Sequence, residues 1–168
     1  MMLGLSLPAF TILHVLISLV GIVTGLIAIL AFVRGRWLAR TTDVFLVTTL
    51  ATTLSGFLFP FKGFTPAIGV GIISTAILLA AFAALYVGKL RGGARTVYAV
   101  AAVAALYLNI FVLFVQSFQK VPVLRSLAPA GNEPPFVAAQ GALLLSVLLL
   151  GYLCFRSARR WATPAAIA

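Results

Sequence analysis

The chain has 168 residues, 63% hydrophobic and only 8% charged, with twelve Lys and Arg against two acids and a net charge of +10. That balance leaves no room for a water-soluble domain, and the cations lie dispersed between apolar runs, as topology signals and headgroup contacts do, rather than as a nucleic-acid-binding surface. The single Cys154 excludes an internal disulfide and any CxxC metal or redox motif.

Taken in chain order, no Asp, Glu, Lys or Arg occurs in 1–33, 44–61, 63–88, 96–119 or 134–155. Backbone polar groups in lipid must be satisfied within their own segment, so runs of this length predict membrane-crossing helices. The fold class expected is all-α: a polytopic membrane protein forming one domain over 1–168. Its five transmembrane helices are expected at about 8–33, 43–61, 66–88, 96–119 and 135–155, with boundaries uncertain by roughly 2–4 residues.

The first run has no basic segment before it and is longer than a signal-peptide core, so it is read as a retained helix rather than a cleaved leader. It carries His14, Ser18, Gly21 and Gly25 on one stripe at helical spacing. Gly21-x-x-x-Gly25 is a close-packing motif, used either against a neighbouring helix of the same chain or in a homodimer seam. Arg34, Arg36 and Arg40 follow. Thr41 or Thr42 is expected to cap the second helix, with Asp43 in its first turn. Thr48, Thr49, Thr52 and Thr53 are expected to bond their own helix four residues back, and Ser55 follows near the end.

The segment 56–66 surrounds Lys62 with Phe57, Phe59, Phe61 and Phe64. It reads as a tight turn anchored by rings in the headgroup layer, or alternatively as an aromatic lid. Thr65-Pro66 has the N-cap and N1 pattern for the third helix, and Gly69, Gly71, Ser74 and Thr75 give that helix a face of small residues. Lys89, Arg91 and Arg95 flank a Gly92-Gly93 turn. The fourth helix places Asn109, Gln116 and Lys120 on one stripe. A loop over 120–134, rich in Pro and Gly, ends in Asn132-Glu133-Pro134, which reads as the cap of the last helix. That helix carries Gln140 and ends at Arg156, Arg159 and Arg160. Trp37, Tyr98 and Trp161 are expected at the membrane interface beside these cations.

Alternate connections hold nine basic residues on one side and three (Lys62, Lys120 and Arg125) on the other. The positive-inside rule then puts the C-terminus in the cytoplasm and the N-terminus outside. Both acids fall at expected helix starts, and no carboxylate lies at mid-membrane, which disfavours proton- or cation-coupled transport. His14 is the only histidine, so neither bis-His haem ligation nor a His-rich metal site can be made within one chain. No Gly-rich phosphate loop and no internal repeat is present.

On this topology His14, Ser55, Gln116 and Gln140 share the outer half of the membrane, with Asn109 near the midplane and Lys62 and Lys120 at the mouth. Neutral amides and an imidazole in an apolar setting form either a ligand pocket or interhelical packing bonds. Three functions follow. The leading one is a binding protein, acting as an accessory subunit or as a binder of a small ligand, lipid or quinone. The second is a membrane enzyme or carrier for a lipid or quinone, with His14 as acid/base. The third is a structural subunit without ligand. The partners expected are the bilayer and either another membrane protein or a second copy.

Leu13-His14 early in the first helix, the Arg-Gly-Arg turn over 34–36 and the compact helix pairs carry a resemblance. In these features the chain resembles uncharacterised small multi-pass proteins of bacterial inner membranes. Some proteins of that type carry several intramembrane histidines and look like haem-binding bundles, and this chain departs from them in having one. The resemblance implies a bacterial inner membrane and no particular activity.

Overall fold

The computed structural model describes residues 4–60 and 63–160, and among these every regular element is helical. α1 spans Leu7–Val33, α2 Ala39–Gly56, α3 Pro66–Phe82, α4 Gly93–Lys120, α5 Pro122–Leu127 and α6 Pro134–Arg160. A π-helical turn, Ala83–Val87, extends α3. Among the described residues four segments are long and apolar enough to cross a membrane: α1, α3 with its π turn, α4 and α6. The expected count of five is therefore met by four on length and apolarity. α2 is long enough at 18 residues and falls short on apolarity, because Arg40, Asp43 and its threonines lower its mean hydropathy.

α2 also begins four residues earlier than the charge pattern suggests. Leu38 occupies the N-cap and makes no side-chain cap bond, so neither Thr41 nor Thr42 caps the helix and no acid lies in its first turn. Asp43 instead accepts a hydrogen bond of 2.6 Å from the Tyr86 hydroxyl. The third helix starts as its sequence indicates, with Thr65 accepting from the Ile68 amide and Pro66 in the first turn. The expected loop over 120–134 contains the short helix α5. Before α6 the Glu133 carboxylate accepts from the amides of Ala130 and Asn132, tying the preceding turn together. α6 itself starts at Pro134 as the sequence indicates, with the Glu133 carbonyl accepting from the Val137 amide.

α4 is the hub and packs against α1, α2, α3 and α6. Its Ala99, Ala102 and Ala105 recur every three residues and are buried, so neighbouring backbones approach closely. Phe45, Leu46, Leu78, Leu90 and Leu106 fill the centre without exposure. α6 touches α4 and, less extensively, α1, and most of its apolar side chains face outward.

The bundle has two distinct ends. At one, Ser157 donates to the Phe32 carbonyl at 2.9 Å and Arg95 to the Ala158 carbonyl at 3.3 Å. Trp37 meets Tyr98 edge-on there, with ring centres 5.6 Å apart. The nine cations of the 34–40, 89–95 and 156–160 segments gather around this end. Tyr98, expected at the interface, is instead only 3% exposed, enclosed by Phe32 and Trp37. Trp161 lies outside the described residues. At the other end Phe59 packs edge-on against Phe10 and His14, and Phe118 against Phe136.

Candidate functional site

A cavity of about 510 Å³ lies between α1, α2, α3 and α4 in the half away from the nine cations. Its polar lining includes His14, Ser18, Thr49, Asn109, Gln116 and Lys120, and its apolar lining includes Phe57, Phe59, Ile68, Val70, Leu108 and Val112. α1 and α4 deliver the polar groups by simple periodicity. His14 and Ser18 are one turn apart on α1, and Asn109, Gln116 and Lys120 are two turns and then one turn apart on α4.

Part of this polarity is satisfied across helices. His14 Nδ1 lies 2.8 Å from Ser55 Oγ. Ser55 in turn donates to the Thr52 carbonyl at 3.1 Å. A serine has one hydroxyl proton. With that proton on Thr52, the imidazole donates to Ser55, and the pair anchors the ring rather than activating a nucleophile. Deeper in the bundle, Ser18 Oγ donates to Asn109 Oδ1 at 2.8 Å.

The rest is unsatisfied. Asn109 Nδ2, Gln116 Oε1 and Thr49 Oγ1 are buried without a hydrogen-bond partner. An orphaned buried polar atom costs about 1–3 kcal/mol, so three around one cavity form a feature that needs an account. Thr49 is the residue that sequence reasoning missed. Thr48, Thr52 and Thr53 bond carbonyls four residues back, as expected. Thr49 has no such bond, and the Phe45 carbonyl it would use takes a bond from Thr48 at 3.3 Å. Nothing in the sequence separates Thr49 from the other three.

The remaining expected site residues divide. Ser55 holds His14 but does not itself line the cavity. Gln140 stands on α6, outside the cavity wall, and both its amide atoms are buried without partners. Lys62 lies outside the described residues. Of the aromatic turn, Phe57 and Phe59 line the cavity while Phe64 is exposed.

Gly21 and Gly25 are used inside the chain. A Cβ on Gly21 would lie 3.1 Å from the hydroxyls of Thr48 and Thr49, and one on Gly25 would lie 2.7 Å from the Phe45 ring. The motif thus seats α2 and α4 against α1 and leaves no stripe there for a dimer seam.

Among the described residues no cluster of three or more His, Cys, Asp or Glu side chains could hold a metal ion. No protein-family model, no curated protein and no solved structure matches this chain.

Proposed function

We propose that the chain is a five-span protein of a bacterial inner membrane that binds a small amphipathic ligand in the cavity between α1, α2, α3 and α4. One observation carries the reading: three residues lining a largely apolar space, Asn109, Gln116 and Thr49, each hold a buried side-chain atom without a hydrogen-bond partner. Pockets of about 300–1,000 Å³ with a few convergent polar groups are typical of small-molecule sites. An enzyme acting through His14 has less support, because its imidazole is held by Ser55 and neither acid of the chain lines the cavity.

Two features support α2 as the fifth span. It runs antiparallel to α1 from the Tyr86–Asp43 contact at one end to the His14–Ser55 contact at the other. Eighteen helical residues reach about 27 Å, close to a bilayer core. Its threonine hydroxyls donate largely to their own helix, which removes most of its unpaired donors. The nine cations at one end support a cytoplasmic C-terminus. A periplasmic phosphatase fused at the C-terminus is expected to be inactive, and activity there would overturn the orientation.

The binding reading is tested by native mass spectrometry of the gently solubilised protein, with an absorption spectrum on the same sample. A defined extra mass is expected in the parent protein and at most a tenth of it in an Asn109→Leu, Gln116→Leu double variant of unchanged helicity. Equal retention by the folded double variant would overturn the assignment of the site.

A further inference from the structure

The cavity has a definite pattern of charge and hydrogen-bond demand, which narrows the ligand class. Lys120 stands at its rim, exposed, on the last turn of α4. The chain has only two acids. Asp43 is bonded to Tyr86 at the opposite end, and Glu133 is occupied by the amides of Ala130 and Asn132. The ammonium therefore has no carboxylate to pair with. One turn below, Gln116 Oε1 is an acceptor without a donor. With the Ser55 proton on the Thr52 carbonyl, the His14 ring donates from Nδ1 and its neutral form carries the lone pair on Nε2.

The rim thus needs a negative charge at Lys120 and donors at Gln116 and His14. A quinone brings acceptors only and leaves Gln116 unserved. A headgroup carrying an amine or quaternary ammonium places a cation near Lys120. A phosphate ester with free hydroxyls meets all three needs. The apolar wall of Phe57, Phe59 and Val112 accommodates a hydrocarbon chain.

We propose that the cavity takes a lipid whose headgroup combines a phosphate with free hydroxyls, of the phosphoglycerol kind. The phosphate sits on Lys120 and the hydroxyls reach Gln116 and His14. This rests on the reading of the cavity as a binding site and adds to it the class of ligand.

The test uses the full-length protein in a neutral detergent, titrated by native mass spectrometry with four probes. These are a monoacyl phosphoglycerol, a monoacyl phosphocholine of the same chain length, sn-glycerol 3-phosphate and a short-chain benzoquinone. The phosphoglycerol lipid is expected to bind at least tenfold more tightly than the other three. Lys120→Gln and Gln116→Leu are each expected to reduce its lead over phosphocholine to threefold or less. Lys120 is exposed and Gln116 Oε1 makes no bond, so both variants are expected to keep the parent melting temperature, measured in parallel. Phosphocholine or quinone binding as tightly as phosphoglycerol would overturn the ligand class and leave the cavity a binding site. Glycerol phosphate binding as tightly would overturn the lipid in favour of a soluble phosphoester. Failure of all four probes would overturn the cavity reading as well.

Discussion

The two halves of the bundle are built from similarly apolar helices and differ in how they close. Toward the nine cations, Gly25 lets the Phe45 ring lie on the α1 backbone, the α4 alanines bring helices together, and Leu78, Leu90 and Cys154 fill the remaining space. Three polar groups there are paired: Asp43 takes the Tyr86 hydroxyl, Ser157 the Phe32 carbonyl and Arg95 the Ala158 carbonyl. Toward the other end, the same α1, α2 and α4 present His14, Thr49, Asn109 and Gln116 around an open space, under two phenylalanines of the 57–60 turn. Apolar side chains fill one half, and a lining of mixed polar and apolar residues surrounds the space in the other.

The contrast predicts a graded series of effects. Phe45→Ala removes the central ring of the closed half and should destabilise by about 3 kcal/mol, the lower part of the range for such truncations because lipid competes for apolar surface. The measure is the melting temperature in detergent. Gly25→Val forces a side chain into that ring and should cost about 1–3 kcal/mol by overpacking. Loss of closure should spread to the open half, seen as faster hydrogen exchange at the α2 end near Ser55. Asn109→Leu in the open half breaks only the bond from Ser18 and relieves one orphaned donor. Its cost should be about 0.6 kcal/mol, with bound ligand falling far more than stability. A drop as large as that of Phe45→Ala would show the open half to be load-carrying and end the contrast.

The smallest effect concerns the turn beside the open half. The amides of Ala130 first, then Asn132 and Gly131, hold the Glu133 carboxyl below its ordinary value of 4.5. A depressed carboxylate contributes stability above its unfolded value and loses it as pH falls through the folded one. Below pH 4.5 the 128–133 turn should therefore become easier to cleave, while the basic end is unchanged. Glu133→Gln should remove that pH dependence, measured by limited proteolysis.

Charge spacing makes much of the fold legible, because an apolar run between cations has few structural alternatives. It fails at α2, where Arg40 and Asp43 look like boundary signals although the helix already runs from Ala39. Tyr98 looks interfacial by its neighbours in sequence, yet Phe32 and Trp37 enclose it, a packing outcome that spacing does not encode. Helical periodicity alone places His14, Asn109, Gln116 and Lys120 on common faces, and they do line one cavity. Gln140 shares their depth but stands on another side of α4, because depth along a helix axis is readable and the azimuth of one helix about another is not. Thr49 is set apart only by the missing bond to its own helix, which nothing in its sequence neighbourhood signals.

The outlying position of α6 has a consequence for how the chain is made. Among the described residues the cavity walls come from α1, α2, α3, α4 and the 57–60 turn, and α6 contributes none. A ribosome releases those segments first, and the helices that form the chamber can assemble in the bilayer while α6 is still being translated. The chamber can then take shape before the chain is finished, with α6 docking last onto a wall already built.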